Sequence, residues 1–196
     1  EANASTHAGK WEKNRFMGVE LFNKTLGVIG CGNIGSIVAD RALGLRMKVI
    51  AFDPFLSPER AIEIGVEKVE LDEIFRRSDF ITLHTPLTEK TRNIIDAAAL
   101  AKCKKGVRII NCARGGLVVE DALYDALKFG HVAGAALDVF EVEPLPVGDP
   151  LWTAPNCWIT PHTAGGRSDQ DEAIVKHFLA NLAAFERGGA LVDRVV

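Results

Sequence analysis

The chain has 196 residues, with 23 basic and 26 acidic side chains and a formal charge of −3. Hydrophobic residues make up 47% and charged residues 25%, an ordinary globular composition that argues against disorder, a coiled coil or a disulfide scaffold. The slightly acidic balance offers no basic surface for nucleic acid, and no apolar run approaches the roughly 20 residues of a membrane helix.

Short apolar runs alternate with helical patterns along the chain. The predicted strands are Thr25–Ile29, Lys48–Phe52, a weak one near Val66–Val69, Phe80–His84, Val107–Asn111, Val132–Asp138 and Cys157–Thr160. The predicted helices are one after the first strand, then Pro58–Ile64, Leu71–Arg77, Asp96–Lys102, Glu120–Phe129 and Gln170–Arg187. Continuous apolar runs suit strands buried on both faces, so the alternation predicts an α/β fold with a doubly wound parallel sheet.

Several local features refine this outline. In the helix after the first strand, four apolar residues fall roughly on one face: Ile34, Ile37, Val38 and Leu43. Gly130 is well placed to end the helix before it, and residues 141–155, rich in Pro and Gly, are predicted to form a long loop. The four cysteines form no CxxC pair, which predicts reduced, mostly buried thiols of a cytoplasmic protein: Cys31, Cys103, Cys112 and Cys157. No spacing of His, Cys, Asp and Glu indicates a metal site.

A glycine motif follows the first predicted strand. The run Gly30-Cys31-Gly32-Asn33-Ile34-Gly35 has the GxGxxG form and opens a helix, which is the setting of a dinucleotide-binding loop. Gly30 permits the tight turn, Gly32 lets the backbone approach a pyrophosphate, and Gly35 lets the helix pack close to the strand. The free N–H groups of the helix N-terminus then favour the phosphates.

An acidic residue stands where a ribose would be bound. Asp53 follows the second predicted strand, 53 − 35 = 18 residues beyond the last glycine of the motif. A carboxylate there accepts hydrogen bonds from the adenosine ribose and repels a 2′-phosphate. The next residues, Pro54, Phe55 and Leu56, supply no arginine for such a phosphate. These features favour NAD over NADP, with a structural glycine turn and a helix-capping aspartate as the alternative.

At this point the sequence resembles the D-isomer-specific 2-hydroxyacid dehydrogenases. The stretches that carry the resemblance are GKWEKNRFMGVEL, KTLGVIGCGNIG, AFDP, DFITLHTPLTEKTRNII, KKGVRIINCARGGLVVEDAL and GAALDVFEVEP. Up to about Pro144 they are most similar to the phosphoglycerate dehydrogenase branch of the family. The later stretch TPHTAGGRSDQDEAI is more similar to the glyoxylate or hydroxypyruvate reductase types.

Oxidation of a 2-hydroxy acid needs a base near neutral pKa and a cation for the carboxylate, roles that suit histidine and arginine. The resemblance makes His162 the general acid/base, Glu143 the carboxylate that pairs with it, and Arg114 the residue that binds the substrate carboxylate. Glu141 is a nearby acid, but the family's Glu-Pro pair matches Glu143 and Pro144, which excludes Glu141 from this role. The alternatives are a loop histidine that caps the next helix, a solvated loop acid and a surface arginine near a turn.

The resemblance also implies a larger set of contacts with NAD. Asn33 and Ile34 would lie under the pyrophosphate, and Thr85 and Pro86 would border the adenosine. Around the nicotinamide it places Cys112, Ala113 and Asp138. The remaining cofactor-binding residues that it implies are Gly30, Gly32, Gly35, Asp53, Arg114, His162 and Gly165.

The domain boundaries also follow from the resemblance. Residues 1–24 are expected to be a remnant of the interdomain and dimer region, 25–167 the NAD-binding domain, and 168–196 a helix and tail that return to the substrate domain. The substrate domain itself is expected to be largely absent, so we expect NAD binding with little turnover. The expected partners are a small 2-hydroxy or 2-keto acid and a second copy of the chain, through the cofactor domain, with no nucleic acid or membrane.

Two other classes of protein remain as alternatives. A corepressor-like module of the same fold would use NAD to control a binding surface, and the candidate catalytic residues do not exclude it. A short-chain dehydrogenase would need a Tyr-xxx-Lys pair, but Tyr124 and Lys128 are one residue out of step.

Overall fold

Seven parallel strands form one sheet, as the apolar runs predict. In chain order they are β1 (Thr25–Ile29), β2 (Lys48–Phe52), β3 (Glu67–Lys68), β4 (Phe80–Leu83), β5 (Val107–Asn111), β6 (Val132–Leu137) and β7 (Cys157–Ile159). Their order across the sheet is β3-β2-β1-β4-β5-β6-β7. The chain therefore starts near the middle of the sheet and winds outward in both directions, which confirms the doubly wound fold.

The computed structural model describes residues 1–193, and their coordinates divide into two units. The first unit, Glu1–Pro161, contains the whole sheet, and the second begins at His162. The helices in chain order are α1 (Ala2–His7), α2 (Asn33–Gly44), α3 (Pro58–Glu63), α4 (Leu71–Arg77), α5 (Ala97–Lys102), α6 (Glu120–Lys128) and α7 (Gln170–Glu186). Within residues 1–193, no helix is both long and apolar enough to cross a membrane.

Two hydrophobic clusters fill the two faces of the sheet. One contains Leu26 and Val28 of β1 together with buried residues of α2 and α3. The other contains Ile29 and buried residues of α4, α5 and α6. Because successive side chains of a strand point to opposite faces, the apolar runs fill both clusters at once.

Helix α2 does not bury the face that its large apolar residues suggest. Ile34 and Ile37 are exposed, whereas the buried positions of α2 are Gly35, Ala39 and Ala42. The expectation of one apolar face was therefore wrong for the two isoleucines. The physical reason is close approach, because only small residues fit where α2 lies against β1, and an added Cβ at Gly35 would be 2.0 Å from the Gly30 carbonyl oxygen.

Side-chain caps define the starts of two helices. Ser57 accepts a hydrogen bond from the Arg60 N–H at 3.1 Å at the start of α3, with Pro58 as its first residue. Asp96 accepts one from the Ala99 N–H at 2.7 Å at the start of α5. Each cap satisfies an N–H group that has no partner within the helix. The caps account for the start of α3 at its predicted position.

Other expectations need adjustment. Cys31 and Cys103 are buried as expected, but Cys112 is exposed and Cys157 is only partly buried. The loop predicted over residues 141–155 contains a short 3-10 helix, Pro150–Thr153, which Asp149 caps through the Leu151 N–H. Cys112 is exposed because it follows β5 at the open edge of the sheet rather than lying within the strand.

In the second unit, α7 has its predicted start and ends one residue early. None of its residues is buried, so the apolar positions at helical spacing are exposed: Ile174, Phe178, Leu182 and Phe185. Within the unit, the Asn181 side chain exchanges two hydrogen bonds with the backbone of Val192, at 3.1 and 2.9 Å. These bonds hold the segment after α7 beside the helix.

Candidate functional site

The candidate site lies along one edge of the sheet in the first unit. Because all seven strands are parallel, their carboxyl ends lie at the same edge. Ligands of open α/β sheets bind in the crevice outside these ends, where the direction of winding reverses. Here that reversal occurs between β1 and β4. The glycine motif follows β1, and the Thr85-Pro86 pair follows β4.

The glycine motif forms a tight turn between β1 and α2. Gly30 adopts φ +89, and an added Cβ there would be 2.7 Å from the backbone of His84 and Thr85. Gly32 precedes α2, no side chain caps the first turn of that helix, and a Cβ at Gly32 would meet nothing within 4 Å. Open space before uncapped N–H groups fits a pyrophosphate, so the loop fits the diphosphate of NAD.

Asp53 is bound to the glycine motif. Its Oδ2 accepts a hydrogen bond from the Cys31 N–H at 2.8 Å, and its Oδ1 accepts one from the Phe55 N–H at 2.8 Å. The acid at the end of β2 therefore borders the loop that would hold the phosphates. This is the position in which a carboxylate can also reach an adenosine ribose.

Charged side chains surround the glycine motif, and one of them, Arg60, was not predicted from the sequence. Burial raises the pKa of the Cys31 thiol, the Asp53 carboxylate raises it further, and the Arg60 guanidinium acts in the opposite direction. A cation thus acts on this loop although the residues directly after Asp53 supply none. Arg60 lies in α3, about one turn beyond the residues that directly follow Asp53, so its position in the sequence does not mark it.

The end of β4 supplies the other wall of the crevice. His84 is partly buried and its Nε2 lies 3.0 Å from the Thr82 Oγ1, while burial lowers the pKa of its imidazole. Thr85 is partly buried and Pro86 is exposed. A partly buried histidine whose ring contacts Thr82, two residues earlier in the chain, fits the structural role expected for His84 rather than that of a second base.

The turn after β5 is shaped by a buried amide. Asn111 is 1% exposed, and its Nδ2 donates to the Arg114 carbonyl oxygen at 2.8 Å. Its Oδ1 accepts from the Ala113 N–H at 3.1 Å. The two bonds fix residues 112–114 and leave the Cys112 and Arg114 side chains exposed at the edge. Partial burial raises the pKa of the Cys112 thiol even though the residue as a whole is exposed, and the Asp138 charge adds to the effect.

Asp138 lies next to this turn, at the end of β6. It is 3% exposed, and its backbone N–H donates to the Asn111 carbonyl oxygen at 2.9 Å. The Thr160 hydroxyl donates to its Oδ1 at 2.5 Å. The ends of β5, β6 and β7 are therefore joined by polar contacts around one buried carboxylate.

Glu143 lies in the loop that follows Asp138. Its Oε1 accepts a hydrogen bond from the Phe140 N–H at 2.9 Å, which closes the loop on itself. Glu141, the acid that the sequence already excluded from this role, has a different partner, because its carboxylate pairs with Arg92 at 3.0 Å. The structure therefore separates the two acids by their contacts.

Glu120, the first residue of α6, supports the same loop. Its Oε1 accepts a hydrogen bond from the Glu141 N–H at 2.7 Å. Burial raises the pKa of Glu120, the N–H bond opposes this, and neighbouring acids including Asp149 raise it further. The supporting roles of Asn111, Arg92 and Glu120 are not predicted from the sequence. A polar residue at the end of an apolar strand is the one local signal that marks Asn111.

The remaining predicted site residues belong to the second unit. His162 follows β7 by three residues along the chain and adopts φ 53, in the left-handed region. Gly165 is exposed, and an added Cβ there would meet nothing within 4 Å. In the first unit, the structure brings Asp53 and Thr85 beside the glycine motif and holds residues 112–114 together in the turn after β5.

Comparison with known proteins identifies the family. The family described as D-isomer specific 2-hydroxyacid dehydrogenase, NAD binding domain, matches residues 1–164. A curated D-3-phosphoglycerate dehydrogenase of Bacillus subtilis is 45% identical over 188 residues, covering 96% of this chain and 36% of that protein. The chain thus spans about a third of the length of this curated relative.

Solved structures agree with this assignment. The TT0316 protein of Thermus thermophilus matches with a TM-score of 0.86 at 35% identity, covering 100% of this chain and 62% of the other. A glyoxylate reductase from Paecilomyes thermophila matches with a TM-score of 0.83 at 37% identity, covering 97% and 58%. The resemblance inferred from the motifs is confirmed, and the chain belongs to the NAD-binding domain family of the D-isomer specific 2-hydroxyacid dehydrogenases.

Proposed function

We propose that this chain is the cofactor-binding part of an enzyme that oxidises 3-phosphoglycerate to 3-phosphohydroxypyruvate with NAD, a reaction of serine biosynthesis. The similarity to a curated D-3-phosphoglycerate dehydrogenase supports the choice of substrate. The observation that supports the proposal is the hydrogen bond between the Cys31 N–H and Asp53, because a carboxylate beside the glycine motif could accept bonds from a ribose while the motif held the phosphates.

The cofactor preference follows from the charge at that position. Asp53 would accept hydrogen bonds from the ribose hydroxyls of NAD and would repel the 2′-phosphate of NADP. Calorimetric titration of the chain with both dinucleotides should therefore show tighter binding of NAD. Asp53→Ala should narrow the difference, and tighter binding of NADP by the unmodified chain would contradict the role of Asp53.

The chemical roles rest on the family resemblance. When bound, the nicotinamide supplies the acceptor for the hydride that leaves the substrate carbon. Arg114 would bind the substrate carboxylate through a bidentate pair, since its side chain is exposed beside the turn after β5. His162 would take the hydroxyl proton, and Glu143 would pair with it.

The remaining proposed contacts with NAD rest on the same resemblance. The N–H groups of Asn33 and Ile34 would lie under the pyrophosphate, which their place in the uncapped first turn of α2 supports. Thr85 and Pro86 would border the adenosine. Cys112, Ala113, Asp138 and Gly165 would surround the nicotinamide end.

A second substrate is favoured by one comparison. The similarity to a glyoxylate reductase supports glyoxylate as an alternative 2-keto acid. The test is the rate at which the full gene product reduces 3-phosphohydroxypyruvate and glyoxylate with NADH. Faster reduction of 3-phosphohydroxypyruvate supports the leading proposal, faster reduction of glyoxylate the alternative, and reduction of neither contradicts both. Arg114→Lys should raise KM, because a lysine loses the bidentate geometry.

We also propose that the chain forms a homodimer through its cofactor domain. A parallel sheet is normally covered on both faces, yet Trp158 of β7 is 80% exposed beside a groove of about 560 Å³ that Phe80, Ile110 and Met17 help to line. Sedimentation should show a dimer, and Trp158→Glu should give a monomer, whereas Val147→Glu, in an exposed loop, should not. A monomer at all concentrations would contradict the proposal.

The four cysteines, which form no disulfide, support a cytoplasmic setting.

A further inference from the structure

The loop that carries Glu143 is held at one residue by two other parts of the chain. Glu141 Oε1 lies 3.0 Å from Arg92 Nη1, across 49 residues of sequence. The Glu141 N–H donates to Glu120 Oε1 at 2.7 Å, across 21 residues. The side chain and the backbone of Glu141 are therefore bound to different segments, one after β4 and one at the start of α6.

The same residue touches the turn that follows Arg114. An added Cβ at Gly115 would be 1.9 Å from the carbonyl carbon of Phe140 and 2.3 Å from the Glu141 nitrogen. At Gly116 it would be 2.8 Å from Glu141 Oε2 and 3.0 Å from Arg92 Nη1. The loops that carry Arg114 and Glu143 thus meet backbone to backbone, with no room for a side chain.

Further bonds tie these segments into one framework. The Asn93 N–H donates to the Gly116 carbonyl oxygen at 2.9 Å, and the Ile95 N–H donates to the Leu117 carbonyl oxygen at 3.0 Å. Ile95 and Val118 form a parallel β-bridge. Arg92 therefore approaches Glu141 from a segment already fastened to the glycine turn, so the ion pair closes a ring of three segments.

The geometry points to a positioning role for this arrangement, which we call the Glu141 clamp and define as Arg92, Glu120 and Glu141. We infer that the clamp sets the loop bearing Glu143 against the turn bearing Arg114, and so positions the proton-transfer carboxylate relative to the substrate-binding arginine. The inference rests on the proposed function. The ion pair alone is half exposed on both sides and stabilises the fold little, which fits a role in geometry rather than in stability.

The test reads the Glu143 hydrogen bond directly. The Phe140 amide proton donates to Glu143 Oε1, so its NMR shift and its hydrogen exchange report whether the loop keeps its shape. Glu120→Ala removes the acceptor for the Glu141 N–H, and we expect about tenfold faster exchange of the Phe140 amide, as for the loss of one hydrogen bond. Glu120→Gln keeps an acceptor oxygen and should restore the unmodified spectrum.

The control is Asp121→Asn, which changes an exposed acid one residue away and should leave the Phe140 amide unchanged. If Glu120→Ala does not fold, Arg92→Met and Glu141→Ala act on exposed side chains and must shift the same signal. An unchanged Phe140 amide in these variants would overturn the inference. Since the readout needs no substrate, this outcome is distinguishable from failure of the proposed reaction, which the NADH assay reports.

Discussion

Replacement of Gly35 by alanine should disrupt the junction between β1 and α2. An added Cβ would lie 2.0 Å from the Gly30 carbonyl oxygen and 3.3 Å from Val28 Cγ1. Ordinary contact begins near 3.4 Å, so the backbone must separate by about 3.4 − 2.0 = 1.4 Å. Overpacking of this kind costs about 1–3 kcal/mol of folding free energy. Alanine offsets up to about 1 kcal/mol of this cost, because it favours the helix more than glycine does. A contact as short as 2.0 Å with backbone puts the cost at the upper end of that range, so the net loss should be about 2 kcal/mol.

Two other glycines of the same region provide matched controls. Gly44→Ala, at the end of α2, meets nothing within 4 Å and should leave stability unchanged or raise it by up to about 1 kcal/mol. Gly32→Ala also meets nothing within 4 Å, so it should cost less than about 1 kcal/mol as a changed helix cap. Its Cβ would nevertheless occupy the space through which a pyrophosphate approaches the backbone, and NAD binding should weaken.

Thermal unfolding and calorimetric titration with NAD separate these effects. Gly35→Ala should lower both Tm and affinity, with Tm falling by about 2–4 °C for each kcal/mol in a chain of this size. Gly32→Ala should lower affinity with little change in Tm, and Gly44→Ala should lower neither. A Gly35→Ala variant with unchanged Tm and affinity would refute the close approach of helix and strand.

Two further predictions concern titratable groups. Burial lowers the pKa of His84 below its usual value of about 6.5. Below that pH the unfolded chain therefore binds more protons than the folded chain. The free energy of unfolding is thus highest above about pH 6.5 and falls as the pH drops through the folded pKa. In urea unfolding between about pH 5 and 7.5, His84→Gln should lose less stability on acidification than the unmodified chain, and an equal loss would contradict the role of His84. The control is His7→Gln on exposed α1, which should lose as much stability as the unmodified chain. Iodoacetamide at about pH 8 should label exposed Cys112 first, because burial raises the pKa of Cys103 and of Cys157 to about 11. Equal rates for the three thiols would contradict the burial described.

The central strands of the sheet could be predicted well because few of their residues are exposed. β1, β2 and β5 have the predicted bounds, since each contains a short apolar run that ends at a polar or glycine residue. The orientation of α2 could not be predicted from hydrophobicity. Its contact with β1 depends on the small size of Gly35, Ala39 and Ala42, which a search for large apolar residues passes over.

The candidate site was predictable where its chemistry is local in sequence. The glycine motif and Asp53 stand at a recognisable spacing, and the structure joins them through the Cys31 N–H. The residues that support the loops have no such spacing, because Arg92 and Glu120 reach Glu141 across 49 and 21 residues. Contacts of this kind depend on which strands are neighbours, and they become visible only in the folded chain.

The sheet narrows at both margins, and this affects how copies of the domain can associate. β3 has only two residues, both charged and exposed, and Lys68 donates its ammonium to the Leu56 carbonyl oxygen at 2.6 Å. β7 has only three residues. Both margins are short and the β3 margin is charged, so they offer few backbone groups to an incoming strand, and edge-to-edge growth into fibrils is disfavoured. In the proposed homodimer, contact through the broad side of the sheet would instead close after one partner, because each copy would cover the surface that the other needs.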